Sequence, residues 1–220
     1  MVPFHPRVEE LPSEFAVFPL TGALMLPRGK LPLNIFEPRY LALTLDSLAD
    51  GRMFGMIQPD PNGREENGPG LYRIGCLGRL SSFSETDDGR LLITLTGLIR
   101  FEVTAELEMR NGYRRVRGDF SRFHSDLAVP PAPFEMEREK ITQALRGYFQ
   151  SRQVNANWEA IKSLSDDALV ITLAMACPFE PVEKQALLEA PTDSDRADTL
   201  LALLQMGALG TDLPPGHSVS

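Results

Sequence analysis

The sequence predicts an α+β protein in which a β-rich first lobe precedes a helical second lobe. Up to about residue 120 the apolar residues form short runs separated by turn-forming Gly, Asn, Asp and Pro. Pro130, Pro131 and Pro133 then stiffen the chain, and beyond them the apolar residues recur at the helical spacing of about 3.6. The expected organisation is a β-barrel lobe at 14–122, a Pro-rich connection at 123–134, a helical lobe at 135–207 and a disordered tail at 208–220.

Prolines mark the first strands as edges or ends of a sheet, because proline cannot donate to a strand ladder. They occur in the apolar runs 15–20, 24–27 and 31–36. A single helix is inserted after these runs: Pro38 suits its first position and Gly51 its end. Further strands are expected at residues 53–58, 71–83, 91–96, 98–107 and 113–120, and together they suggest a closed or partly closed barrel.

Turn signals separate these strands. Residues 87–90, Asp-Asp-Gly-Arg, predict one hairpin, and Asn111-Gly112 predicts another. Residues 59–70 are polar and rich in Pro and Gly, so we expect a long loop that acts as a flap or is simply mobile.

Capping residues place the helices of the second lobe. A first helix is expected to follow Phe134, and Trp158, Ile161 and Leu164 suggest a short second one. Ser165 is expected to cap a third helix that ends before Pro178. Pro181 opens a fourth, and the pair Thr192 and Asp195 resembles the capping box of a last helix.

Composition narrows the function classes. The 220 residues have a formal net charge of -8 and a pI near 5.0, which argues against a general binder of nucleic acid or anionic membranes. Residues 1–130 carry 15 basic and 17 acidic residues, and residues 131–220 carry 7 and 13, so the helical lobe is the acidic one. No secretory signal and no apolar stretch of about 20 residues is visible, so a cytoplasmic protein with reduced cysteines is expected.

The sequence offers little catalytic material. Two cysteines and three scattered histidines exclude a cysteine zinc cluster and leave no His-based metal site, so no metal and no cofactor is expected. Residues 22–30 superficially resemble a phosphate loop, but Leu31 replaces the metal-binding hydroxyl and Pro27 removes an N–H. No nucleophile elbow, zincin motif or dinucleotide fingerprint is present. We therefore expect no catalytic residue and no enzyme.

Several segments, in order and at matching spacing, resemble a known family. Residues 18–40, with Leu31-Pro-Leu-Asn-Ile-Phe-Glu-Pro-Arg-Tyr40 at their centre, resemble the opening of the N-terminal substrate-binding domain of Lon proteases, in particular its stand-alone bacterial form. Residues 71–80 and 88–101 resemble the sequences of its central strands, and residues 183–190 and 195–201 resemble those of its helices. The resemblance spans about residues 14–206. Asn34 departs from it, since His is common at that position.

The resemblance implies a PUA-like β pseudo-barrel with one inserted helix, followed by a C-terminal helical bundle. In full-length Lon the equivalent region recognises protein substrates, while separate ATPase and Ser–Lys protease domains act on them. This chain has no Walker A loop and no proteolytic dyad. The expected function is therefore a non-catalytic protein- or peptide-binding module, acting as an adaptor in proteolysis or quality control. Its partners would be unfolded or apolar protein segments, or a protease or chaperone, without nucleic acid or membrane; the oligomeric state stays open.

Two groups of residues are candidates for peptide binding. Phe36, Glu37, Arg39 and Tyr40 belong to the family motif; the alternative is that the two aromatic residues staple strand to helix while Glu37 and Arg39 make local contacts. The second group would form an exposed apolar lip, with packing in the core as its alternative. It comprises Leu24, Met25 and Leu26.

An alternative function is RNA binding by the arginine-rich segment from Arg110 to Arg122, because PUA-like relatives include RNA binders. On a strand, Tyr113, Arg115 and Arg117 share one face, where they would stack a base and hold the backbone. The opposing explanation is a solvated strand face, or arginines paired with the acidic helical lobe.

Overall fold

A computed structural model describes residues 6–65, 68–129 and 131–209. The chain divides into two units, Met1–Ala132 and Pro133–Ser220, and the division falls inside the segment predicted as a connection. Residues 210–220, most of the predicted tail, lie outside the described residues, whereas 208 and 209 end the last helix.

Five strands of the first unit pair in a circuit that closes on itself. The sheet order is β2-β7-β6-β3-β1-β8, and β7 pairs with β8 as well, which joins five of the six strands in a ring. The pairs are antiparallel except β1 with β3. The predicted α+β class is confirmed, with a pseudo-barrel that β2 extends on one side. The elements are β1 (Glu14–Pro19), β2 (Lys30–Ile35), α1 (Pro38–Ala49), β3 (Met53–Ile57), β4 (Pro59–Glu65), β5 (Gly68–Leu71), β6 (Ile74–Glu85), β7 (Leu91–Arg110) and β8 (Tyr113–Asp119), with 3-10 helices at Val8–Glu10 and Ser121–Leu127.

Strand β7 is continuous where the sequence predicts two strands. Its first half pairs with β2 and β6 and its second half with β8, with register shifts that let it bend between them. Gly97, at the predicted break, lies inside the strand. A glycine is needed at this position because the backbone of Leu26 approaches it closely. A Cβ there would lie 2.0 Å from the carbonyl oxygen of Leu26.

Aromatic rings fill the barrel where glycines leave room. The rings of Phe15 and Phe101 meet edge to face at a centroid distance of 4.8 Å. A Cβ on Gly75 would lie 2.4 Å from Phe101 Cζ, so the ring occupies the volume that a side chain would need. Such interlocking makes the core specific for these residues.

The predicted loop at 59–70 instead contains a small β-hairpin. β4 and β5 pair with each other, with Pro59 opposite Leu71. A Cβ on Gly70 would lie 2.6 Å from the Cα of Gly63, so the glycines that signal a loop also permit close strand pairing. The Arg114 guanidinium donates to the carbonyl of Pro69 at 2.7 Å and anchors the hairpin.

The second unit consists of helices with well-defined ends. Ser165 caps the third helix by accepting from the N–H of Ala168, as predicted. The predicted capping box is confirmed as well, because Thr192 N donates to Asp195 Oδ2 and Asp195 N to Thr192 Oγ1, both at 3.1 Å. The helices are α2 (Arg138–Ser151), α3 (Trp158–Ser163), α4 (Asp166–Ala176), α5 (Pro181–Glu189) and α6 (Asp193–Leu209).

Candidate functional site

The motif residues after β2 have different environments. Phe36 is 60% exposed, and the guanidinium of Arg90 lies 5.7 Å from its ring centroid. Tyr40 is buried against the ring of Phe18 at 3.9 Å, and this burial raises its pKa. Arg39 and Glu37 pair with each other at 2.8 Å and are both about half exposed. Only Phe36 therefore offers apolar surface, and Tyr40 is a core residue that holds α1 on β1.

The predicted apolar lip needs a correction. Leu24, Met25 and Leu26 are 2%, 2% and 0% exposed and form no strand. They fit over glycines of the sheet: a Cβ on Gly78 would lie 2.7 Å from Met25 Cε, and Gly97 faces the Leu26 carbonyl. These three side chains pack in the core, the alternative that the sequence left open.

The proposed RNA-binding side chains are engaged within the first unit. Tyr113 is 3% exposed and donates its hydroxyl to Asp46 Oδ2 at 2.7 Å. Arg115 and Arg117 both approach Glu14, at 3.6 and 2.6 Å. Asp46 belongs to α1 and Glu14 to β1, so both carboxylates come from the same unit as these side chains.

The other arginines of this segment pair in the same way. Arg110 lies 3.5 Å from Asp46, Arg122 lies 3.0 Å from Glu102, and the buried Arg114 binds Glu106. Such pairs leave less positive potential for a phosphate backbone than the sequence indicates.

Asp46 is the polar centre of a cavity between α1 and the β7–β8 hairpin. Its carboxylate accepts from the Tyr113 hydroxyl and the Asn111 side chain, and these bonds lower its pKa. Burial, with the bond to Asp46, raises the pKa of Tyr113 to about 12. The cavity has a volume of about 380 Å³, and Glu14 and Arg115 line it as well. Within its lining, Arg110 pairs with Asp46 at 3.5 Å and Arg115 with Glu14 at 3.6 Å.

A second cavity lies across three strands, at the sheet end that carries β2. Register places Leu33 beside Ile93 and Phe83, and Asn34 beside Leu92 and Ser84. The depression has a volume of about 490 Å³. We call it the β2–β7–β6 groove; its lining is Pro32, Leu33, Asn34, Ser82, Phe83, Ser84, Leu92, Ile93 and Thr94.

Large apolar side chains are exposed at this groove. Phe83 is 52% and Leu92 is 47% exposed, although both lie in regular strands. Phe83 lies opposite Ile93, whose neighbour is Leu92, so the two side chains project from opposite faces of the sheet at this end. Phe36 follows β2 at the same end, since Ile35 pairs with Leu91. The groove was not predicted because β2 is distant in the chain from β6 and β7, although these two are consecutive strands. Phe83, an aromatic residue between serines, was a local signal.

Two further site classes find no support among the residues that the structure describes. Across 6–65, 68–129 and 131–209, no His, Cys, Asp and Glu residues group as metal ligands would. Both cysteines are buried as free thiols. In these same ranges no helix combines the length and apolar character that crossing a membrane requires.

Residues 14–206 match the family model of the ATP-dependent protease La (LON) substrate-binding domain. The chain belongs to this family. Among its relatives, Lon protease 1 of Thermus thermophilus is 25% identical over 203 residues, which are 87% of this chain and 24% of that protein. Lon protease 1 of Herpetosiphon aurantiacus is 26% identical over 148 residues, 64% of this chain and 16% of the protease. The LON substrate-binding chain thus spans about a quarter or less of these relatives.

Two solved structures share the fold. The Lon N-terminal domain protein from Xanthomonas campestris is 24% identical with a TM-score of 0.58, over 87% of this chain and 98% of that one. The N-terminal domain of Mycobacterium avium complex Lon protease is 16% identical with a TM-score of 0.53, over 89% and 98%. The arrangement of a pseudo-barrel followed by helices is thus the LON N-domain fold.

Proposed function

We propose that this LON-family chain binds apolar segments of unfolded polypeptides at the β2–β7–β6 groove. The exposure of Phe83 and Leu92 beside that groove carries the proposal, because water-exposed large apolar side chains in regular strands favour a binding surface. Family membership supports the choice of a protein segment as ligand.

Binding of short fluorescent peptides of graded apolar content, followed by anisotropy, tests the proposal. Replacing both Phe83→Ser and Leu92→Ser removes the large exposed apolar side chain from each face of the sheet at this end and is expected to weaken binding by about tenfold or more. Met109→Ser is the matched control, since Met109 is 45% exposed on the same strand but does not line the groove. Equal binding by the double variant and the control would refute the groove as the site.

A finer proposal is that the bound segment is passed to a protease, as an adaptor in cytoplasmic quality control would do. The test adds the purified chain to a full-length Lon protease with a labelled unfolded substrate. An adaptor accelerates degradation at limiting substrate, and the Phe83→Ser, Leu92→Ser variant does not. Slower degradation with the wild-type chain would identify a competitor for substrate instead.

The RNA alternative has weaker support, because Arg115 and Arg117 pair with Glu14 and Tyr113 is buried. Titration of labelled single-stranded RNA at low salt is expected to give no saturable binding. Salt-sensitive binding that Arg115→Ala with Arg117→Ala weakens would restore this function.

A further inference from the structure

Strand β2 ends the sheet beside the proposed groove. Among the described strands it pairs with β7 alone, and Lys30, Pro32 and Asn34 are exposed along it. The side of a terminal strand that faces away from the sheet presents backbone N–H and C=O groups to any chain that arrives in extended form.

Hydrogen-bond alternation assigns the backbone groups on that side. Gly97 N donates to Gly29 O at 2.8 Å, and in antiparallel pairing every second residue faces the partner strand. Residues 31, 33 and 35 therefore face β7, whereas residues 30, 32 and 34 face outward. Pro32, which has no N–H, occupies an outward position, so its missing donor removes no hydrogen bond between β2 and β7.

The side chains of β2 indicate which side chains an added strand should carry. Leu31 and Leu33 lie opposite the buried Leu95 and Ile93, yet they are only half-buried themselves, so the apolar face of the sheet continues to its edge. On the opposite face Lys30 is exposed, and among the ion pairs of the described residues it takes no part. A chain added to β2 would place apolar side chains beside Leu31 and Leu33 and would meet a positive charge at Lys30.

The geometry points to strand addition: an extended polypeptide segment pairs with the outer edge of β2 and extends the sheet by one strand. Its side chains alternate between apolar and polar, and an acidic residue lies opposite Lys30. The inference rests on the proposed binding of apolar segments. One part of the bound segment pairs with this edge beside the groove rather than in it, and the inference adds which segments are preferred. Residues 30 and 34 supply N–H donors, and residues 30, 32 and 34 supply carbonyl acceptors.

N-methylated peptides test the backbone contacts. Two labelled peptides share one alternating sequence with an acidic end; one is methylated on the amides that face β2, the other on the intervening amides. Methylation of the facing amides removes three donors and is expected to weaken binding by about tenfold or more, whereas the other set costs about twofold at most. Equal affinity of the two peptides would overturn strand addition.

Variants of β2 supply matched tests on the protein. Asn34→Pro removes the outward N–H while Asn34→Ala keeps it, so only the proline variant is expected to weaken the unmethylated peptide. Lys30→Glu is expected to weaken the acidic peptide and to strengthen its Lys-ended counterpart. If Lys30→Glu changes the affinities for the acidic and the Lys-ended peptide equally, the assigned charge preference is wrong.

The outcomes separate this inference from the proposed function. Loss of binding on Phe83→Ser with Leu92→Ser, but not on amide methylation, retains the groove and overturns strand addition. If no peptide binds the wild-type chain, the proposed function itself fails. If the wild-type chain is a dimer that Asn34→Pro converts to monomer, the edge of β2 belongs to a second copy and the inference is overturned.

Discussion

Single side chains hold the first unit together by joining segments that are distant in sequence. Arg100 and Asp126 do so in the interior: their side chains are 3% and 7% exposed, and the Arg100 N–H, Nε and Nη2 all donate to the carboxylate. The pair fixes the 3-10 helix Ser121–Leu127 against β7. Exposed pairs such as Glu37 with Arg39 have both partners in water and contribute far less.

Removal of one buried partner is therefore expected to be costly. Asp126→Ala leaves the Arg100 charge without this carboxylate and should lower the free energy of unfolding by about 3–5 kcal/mol. Urea denaturation monitored by circular dichroism measures the change, and Glu37→Ala is the exposed control with an expected cost below about 1 kcal/mol. If the two variants lower the free energy of unfolding by similar amounts, burial does not make the Arg100–Asp126 pair more important than an exposed pair.

The contact of Asp46 with Tyr113 predicts an alkaline titration. In Asp46→Ala the pKa of Tyr113 should fall from about 12 toward its ordinary value of 10, but only partly, because burial is the larger cause and remains. Ultraviolet absorbance of the phenolate measures the shift, and Tyr113→Phe assigns the signal. A curve unchanged by Asp46→Ala would show that the hydrogen bond is not made in solution.

The raised pKa of Tyr113 also determines how the stability of the fold changes with pH. The folded pKa of Tyr113 exceeds the unfolded one, so the folded state holds this proton more tightly, and its contribution is fully present below about pH 10. Between about pH 10 and 12 the free energy of unfolding should decrease more steeply in the wild-type chain than in Tyr113→Phe. Parallel curves for the two proteins would contradict this.

Among the elements, β7 pairs with β2 and β6 along its first half and with β8 along its second half. Gly97, within β7, leaves room for the backbone of the buried segment 24–26. Gly97→Ala places a methyl group 2.0 Å from the Leu26 carbonyl oxygen, so we expect destabilisation of about 1–3 kcal/mol. Chemical denaturation tests this. The control is Gly147→Ala in α2, where the added Cβ meets Ala208 at an ordinary 3.5 Å and should be neutral or stabilising.

Local chemistry explains which elements were predictable. Asn111 and Gly112 turn β7 into β8 with φ of 49° and 81°, as an Asn-Gly hairpin requires, and the caps at Ser165 and Thr192 are equally local. The segments 24–27 and 59–70 were misassigned because their structure depends on glycines elsewhere or on backbone pairing that breaker residues conceal.

The candidate site was less predictable for a related reason. Arg117 pairs with Glu14 across 103 positions of sequence, so the fold compensates part of its charge although its side chain stays about half exposed. The β2–β7–β6 groove likewise exists only after β2 aligns with the hairpin of β6 and β7, which follows it in the chain by dozens of residues. The family motif lies at the end of β2, where Phe36 is exposed, but it includes neither Phe83 nor Leu92.

At the level of the whole molecule, the proposed groove and most of the net negative charge belong to different units. The groove lies entirely in the first unit, whereas the second carries 13 acidic and 7 basic residues. Each unit has a core of its own: Phe54, Phe101 and Leu95 are fully buried in the first, and Ile141, Leu145 and Leu204 in the second. We therefore expect the two to be separable, with different responses to salt.

Separate production of residues 1–132 and 133–220 tests this expectation. Each segment should unfold cooperatively by circular dichroism, and only 1–132 should bind the apolar peptides. Added salt screens like charges over a distance of about 10 Å at 0.1 M, so it should raise the Tm of 133–220 more than that of 1–132. A first segment that unfolds without cooperativity would show that its core needs the helical unit. Peptide binding by 133–220 instead would move the site away from the β2–β7–β6 groove.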